Sequence, residues 1–102
     1  MLKSPSQFMP SLSLIVPIFN VAEYLPTTLD SIVRQTLSHF EVILVDDGST
    51  DGSREIAENY CQRQPHWQLI TQTQQGVSVA RNVGTIQAAG AFVAYLDGDE
   101  WI

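Results

Sequence analysis

Asp97 and Asp99 stand one residue apart in YLDGDEWI, and Glu100 follows directly. Two carboxylates at that spacing can both reach one hard divalent cation. Mg2+ and Mn2+ prefer such oxygen ligands and keep coordination positions for substrate phosphates. The ordinary alternative is a solvated acidic turn, because Asp-Gly is a common turn dipeptide. The apolar run AFVAYL before the acids favours the first reading, since it places them at the end of a buried strand.

Three other stretches carry chemistry. DDGSTDGS, residues 46–53, approaches a calcium loop when read from Asp47, with Glu58 at its twelfth place. That reading fails on context. FEVILV before it is strand-like where a helix is required, and Arg54 occupies the usually apolar eighth place. The better reading is that Asp46 or Asp47 accepts hydrogen bonds from a nucleoside at a strand end, as an acid does for the ribose in dinucleotide folds. Turn and helix-cap chemistry accounts for part of residues 49–51. PIFN, residues 17–20, lies where a dinucleotide fold carries its glycines, and neither that fingerprint nor a P-loop is present. Phe19 offers a flat apolar wall for a base, or else it is core. In GVSVARN, residues 76–82, Gly76 loosens a helix entrance whose free N–H groups suit an anion. Arg81, one turn in, can reach a diphosphate, or else it is a solvated helix arginine.

The elements that must position these groups follow from the apolar pattern. SLSLIVPI (11–18), FEVILV (40–45), WQLIT (67–71) and AFVAYL (91–96) read as strands, with Pro17 at the end of the first. Between them lie three helical stretches. The first opens at Pro26 and turns Leu25, Leu29, Ile32 and Val33 inward. The second is capped by Asp51 or a neighbouring hydroxyl, runs to about Arg63, and buries Ile56, Ala57 and Tyr60. The third spans 77–89 with Val79, Val83 and Ile86 on one face and Gly90 at its C′ position. The order βαβαβαβ predicts an α/β, Rossmann-like, mainly parallel sheet with right-handed crossovers. Ligands in such sheets bind at the carboxyl ends of the strands. PIFN, DDGSTD and DGDE all fall there.

Bulk composition narrows the partners. The 102 residues carry a formal net charge of −6, which argues against nucleic acid and anionic membrane surfaces. An acidic chain binds an anion only through local donors or a cation. Cys61 is the only cysteine, so no internal disulfide forms, and a reducing cytosolic setting fits. MLKSPSQFMP lacks an apolar signal core and reads as a flexible arm over residues 1–10. No run is long and apolar enough to span a membrane. A phosphatase using Asp-x-Asp would carry the motif after the first strand with a later lysine, and Lys3 is the only lysine.

Taken together, SLIVPIFN, YLPTTLDSIVRQT, FEVILVDDGSTDGS, GVSVARNVG and FVAYLDGDEWI resemble the start of a family 2 glycosyltransferase with the GT-A fold. The resemblance covers nearly the whole chain after the arm. It implies that residues 11–102 are the nucleotide-binding half of an incomplete GT-A domain. It further implies a nucleotide-sugar donor, usually a UDP-sugar, held with Mn2+ or Mg2+. Pro17 and Phe19 match the nucleobase pocket. Asp46 and Asp47 match the acids facing base and ribose, and Arg81 matches the arginine near the donor. Asp97 and Asp99 match the Asp-x-Asp motif, Asp97 facing ribose or metal and Asp99 binding metal. Gly98 stands where Ser is common, a change expected to be harmless, and Glu100 where Asp is common. The acceptor implied is a glycan, a lipid-linked sugar or a cell-surface polysaccharide. The location implied is the cytoplasm, or the cytoplasmic face of a membrane. No acid here matches the family's catalytic base, so these residues alone are expected to transfer no sugar. The competing expectation is a non-catalytic remnant that binds nucleotide weakly or needs a partner chain. With the fourth strand at an open edge, self-association is also expected.

Overall fold

A computed structural model describes residues 9–35 and 39–99. Most of the expected N-terminal arm, Lys3 and Glu100 lie outside the described residues. Four strands alternate with three helices: β1 (Leu12–Ile18), α1 (Leu25–Val33), β2 (Phe40–Asp46), α2 (Ser53–Arg63), β3 (Trp67–Thr71), α3 (Val77–Gln87) and β4 (Phe92–Tyr95). All pairings are parallel and the sheet order is β3-β2-β1-β4. The expected α/β, Rossmann-like architecture is therefore present.

Strand alternation sorts the core into two layers. Leu14, Val16, Ile18, Val42 and Leu44 pack against Leu25, Leu29 and Ile32 of α1 and Ala57 and Tyr60 of α2. Ile15, Ile43 and Val45 point the other way, onto Ala80 of α3. Central strands covered on both faces explain why β1 and β2 read as unbroken apolar runs. Helix α3 lies close because Gly84 has no side chain: a Cβ there would come 2.5 Å from Ile15 Cγ2.

The chain order places β4 beside β1 on the side opposite β2. The strand order thus reverses between β1 and β4, which is where open α/β sheets bind ligands. Pro17 helps to open that crevice. Ile15 O still accepts Leu96 N–H at 3.0 Å, so alternate residues of β1 address β4. Pro17 is next on that side and has no N–H to give. Pairing with β4 ends at Ile15–Tyr95, whereas pairing with β2 continues to Ile18–Asp46.

Pro17 is the penultimate residue of β1, at the strand's carboxyl end as expected. Several other local expectations need correction. Val33 is exposed, because α1 finishes there and its buried stripe is Leu25, Thr28, Leu29 and Ile32. Ile86 is 78% exposed, since α3 meets the sheet through Ala80 and Gly84 and Ile86 lies on the opposite side of the helix. Helix α3 stops at Gln87, and its cap Ala88 is extended, so Gly90 is not a C′ residue. Gly90 instead lets the chain pass Ser13, whose Oγ would lie 2.8 Å from an added Cβ. Helix α2 is capped by Gly52, while Asp51 just before it accepts the Ser53 N–H at 3.0 Å.

Candidate functional site

At the β1–β4 crevice lies a cavity of about 360 Å³, within the size range of small-molecule sites. Pro17, Phe19, Asp47, Arg81, Asp97 and Asp99 all line it, together with Val21, Gln74, Gly76 and Gly98. The sequence-derived candidates thus converge, apart from Asp46. Phe19 is 40% exposed, which favours a wall over core.

Asp47 fastens the cavity floor. Its carboxylate accepts Gln72 Nε2 at 2.8 Å, Gln75 N–H at 2.7 Å and Gly76 N–H at 3.0 Å. Burial pushes this acid up, but those three donors outweigh burial and hold it below the usual carboxylate range. Gly76 reaches Asp47 with φ +102°, a conformation open to glycine and disfavoured for other residues. The β3–α3 loop is thereby tied to the end of β2, and the entrance of α3 faces the cavity.

Asp46 departs from expectation. It is fully buried and points into the turn, where Oδ2 accepts Ser49 N–H at 3.2 Å. Its Oδ1 is buried without a hydrogen-bond partner. Of the two adjacent acids, the structure brings Asp47 to the cavity and keeps Asp46 away from it.

The rest of DDGSTDGS clamps the chain after β1. Asn20 N–H donates to Ser49 Oγ at 3.0 Å, and Asn20 Oδ1 accepts Thr50 N–H at 2.8 Å. Val21 N–H donates to Ser53 Oγ, and Ala22 N–H to Asp51 Oδ2, each at 3.0 Å. The Ser53 hydroxyl and these backbone donors hold Asp51 below its ordinary range against a smaller effect of burial. Residues 49–53 therefore position Phe19 and Val21.

On the opposite wall, Arg81 Nη2 donates to Asp97 Oδ1 at 3.1 Å. Both side chains are more than a third exposed, so the pair adds little stability. Arg81 is the one basic residue among the described residues lining the cavity. The loop carrying Asp97 and Asp99 is anchored from below, because Thr28 Oγ1 donates to Gly98 O at 3.0 Å in a buried bond. Ser in place of Gly98 requires the Val21 side chain to shift, since a Cβ would lie 2.9 Å from Val21 Cγ2.

Known proteins can now be set beside this geometry. The family model described as "Glycosyl transferase family 2" matches residues 13–102. The chain belongs to that family. The uncharacterized glycosyltransferase EpsJ of Bacillus subtilis is 44% identical over 93 residues, covering 91% of this chain and 27% of its own length. Among solved structures, S. aureus TarS 1–349 in complex with UDP-GlcNAc superposes with a TM-score of 0.84 at 35% identity, over 90% of this chain and 27% of TarS. The mannosyltransferase PcManGT from Pyrobaculum calidifontis, solved with GDP-Man and Mn2+, gives a TM-score of 0.83 at 29% identity, over 93% and 29%. The chain thus spans about a quarter of the relatives it matches, and its fold is that of GT-A glycosyltransferases.

For a glycosyltransferase of this family the donor set matters. Among the described residues no cluster of three or more Asp, Glu, His or Cys could hold a metal. Three carboxylates among the described residues line the cavity, and Asp47 is occupied by its three donors, which leaves Asp97 and Asp99. That set fits Mg2+ or Mn2+, which are commonly bound by one or two carboxylates plus water and substrate phosphates. Cys61 lies elsewhere, and burial pushes its thiol up to about 11, so it is no nucleophile near neutral pH. No helix among the described residues is long and apolar enough to cross a membrane.

Sequence reasoning missed Thr28, Gln72, Gln74, Val21 and Asn20. Thr28 left a signal: it is a polar residue on the apolar stripe of α1, at i+3 from Leu25. Asn20 follows a strand and takes φ +51°, a conformation that asparagine tolerates better than most residues.

Proposed function

We propose that the cavity holds the nucleoside diphosphate of a nucleotide-sugar donor, most readily a UDP-sugar. The observation that carries this is the convergence of Asp47, Arg81, Asp97 and Asp99 on one cavity at the sheet's reversal point. Phe19 and Pro17 give the base an apolar wall. The entrance of α3 supplies N–H groups and a positive dipole end toward the anion. Arg81 takes phosphate oxygens, and Asp99 with Asp97 holds Mn2+ or Mg2+. When bound, the cation neutralises diphosphate charge that grows as the bond to the sugar breaks. This accounts for an anion site in a chain of net charge −6.

In this reading the protein is a metal-dependent glycosyltransferase acting on a glycan, lipid-linked or cell-surface polysaccharide acceptor at the cytoplasmic side of a membrane. The residues here form its donor half. The general base comes from outside them, so the 102-residue chain binds donor and transfers no sugar. Asp46, buried away from the cavity, acts on the donor only by shaping the turn after β2.

Calorimetric titration with UDP, with and without Mn2+, tests the reading. The expected result is Mn2+-dependent binding. A folded chain that binds no UDP in either condition contradicts it.

A further inference from the structure

Arg81 is the one basic group among the described residues at the cavity, yet its ion pair with Asp97 is half-exposed and cannot by itself fix a long, flexible side chain. A second set of contacts does so. The Arg81 guanidinium lies over the Tyr95 ring, with Cζ 5.9 Å from the ring centroid. Tyr95 lies in β4 in register with Ile15, so its side chain stands on the α3 face of the sheet. The Tyr95 hydroxyl is 2.7 Å from Thr85 Oγ1, one turn beyond Arg81 in α3.

The proton in that contact can be assigned. Thr85 Oγ1 also lies 2.7 Å from Arg81 O, which can only accept. The threonine has one hydroxyl proton and gives it to that carbonyl. Tyr95 must therefore donate to Thr85. The result is a directed chain, Tyr95 to Thr85 to the Arg81 backbone, while the Tyr95 ring underlies the Arg81 side chain. Both ends of the arginine are held by the same pair of residues.

We propose that Tyr95 and Thr85 are positioning residues that aim Arg81 at the diphosphate of the bound nucleotide. The inference rests on the donor reading above. Tyr95 is not among the residues lining the cavity and acts only through Arg81. Its hydroxyl fixes the ring, the ring fixes the guanidinium plane, and a planar fork must be oriented to meet phosphate oxygens two at a time.

The test is binding of UDP and of uridine, both with Mn2+, to the unmodified chain and to Tyr95→Phe, Thr85→Val and Arg81→Ala. Tyr95→Phe keeps the ring and removes one hydroxyl, so the fold is retained. Losing that hydrogen bond and its hold on the cation–π contact is expected to weaken UDP binding about 3- to 10-fold. Uridine, lacking the diphosphate, binds as before. In the Arg81→Ala background the same substitution adds no further loss, because the residue it acts through is gone. Unchanged UDP affinity in Tyr95→Phe, or equal losses for UDP and uridine, overturns the inference while leaving the donor reading intact. Absence of UDP binding by the unmodified chain overturns both.

Discussion

Helix α3 is fastened at both ends by a carboxylate, and the two ends have different fates. At its entrance Asp47 accepts Gln75 N–H, Gly76 N–H and the Gln72 amide. Past its exit Glu41 accepts Ala89 N–H at 2.7 Å and the Ser13 hydroxyl at 2.6 Å, while Ser13 Oγ accepts Gly90 N–H at 2.8 Å. The device is the same: an acid on β2 (Glu41) or directly after it (Asp47) converts free loop N–H groups into a joint. Around Glu41 the joint is closed, since Gly90 lies against Ser13 and the Leu12 backbone with no room for a Cβ. Around Asp47 there is a cavity, and Arg81, Asp97 and Asp99 stand in its wall. A carboxylate with its bonds satisfied is a fastener at either end. Function attaches to the end where charged groups and space remain together.

The largest expected effect breaks that contrast at the metal. Asp99→Ala should abolish the Mn2+ dependence of UDP binding, a loss of about 100-fold or more, as even partners behind a metal ligand cost up to that. Titration of the mutant with UDP and Mn2+ measures it. The equivalent removal at the closed end, Glu41→Ala, should leave UDP affinity unchanged.

The two fasteners can then be compared with each other. Asp47→Ala leaves two backbone N–H groups and one amide without their acceptor, and should cost about 2–3 kcal/mol in denaturant unfolding along with UDP affinity. Glu41→Ala strands fewer backbone donors and should cost about 1–2 kcal/mol with no change in UDP affinity. Equal loss of UDP affinity in both would show that the joint at Asp47 is only structural.

Acid sharpens the same point. Asp47 is held below its unfolded value, so its stabilisation is complete above the ordinary carboxylate pKa of about 3.9 and is lost as pH falls through the lower folded value. Asp51 behaves likewise. Thermal unfolding followed below about pH 4 should therefore show a shallower acid loss in Asp47→Asn than in the unmodified chain.

The smallest effect concerns Gly98. Gly98→Ser presses on Val21 and should cost about 1 kcal/mol. The double substitution with Val21→Ala should recover part of it. Full stability in Gly98→Ser alone would mean that Val21 yields freely.

The two ends also differ in how far the sequence revealed them. Strand runs and helix stripes located every element to within about two residues, and β-strand polarity alone sent Pro17, Phe19, Asp47, Asp97 and Asp99 to one edge, while Arg81 stands out by its place one turn into a helix. Which of Asp46 and Asp47 faces the cavity was not legible, because alternation lapses where β2 gives way to a turn. Ile86 misled for a related reason: helical periodicity finds apolar residues but not which side of the helix meets the sheet, and α3 presents Ala80 and Gly84. The Ser13–Glu41–Gly90 joint left no motif at all. Its members are 28 and 77 residues apart, and register alone brings them together.

The central claim is that the carboxyl end of the sheet binds nucleotide with a cation and that the closed joint around Glu41 does not. Paramagnetic broadening of backbone amide signals by Mn2+, recorded with and without UDP, tests it most directly. The account predicts UDP-dependent broadening at Gly76, Val77 and residues 97–99, and sharp signals at Ser13, His66 and Gly90. Equal broadening at both ends, or none that responds to UDP, would contradict it.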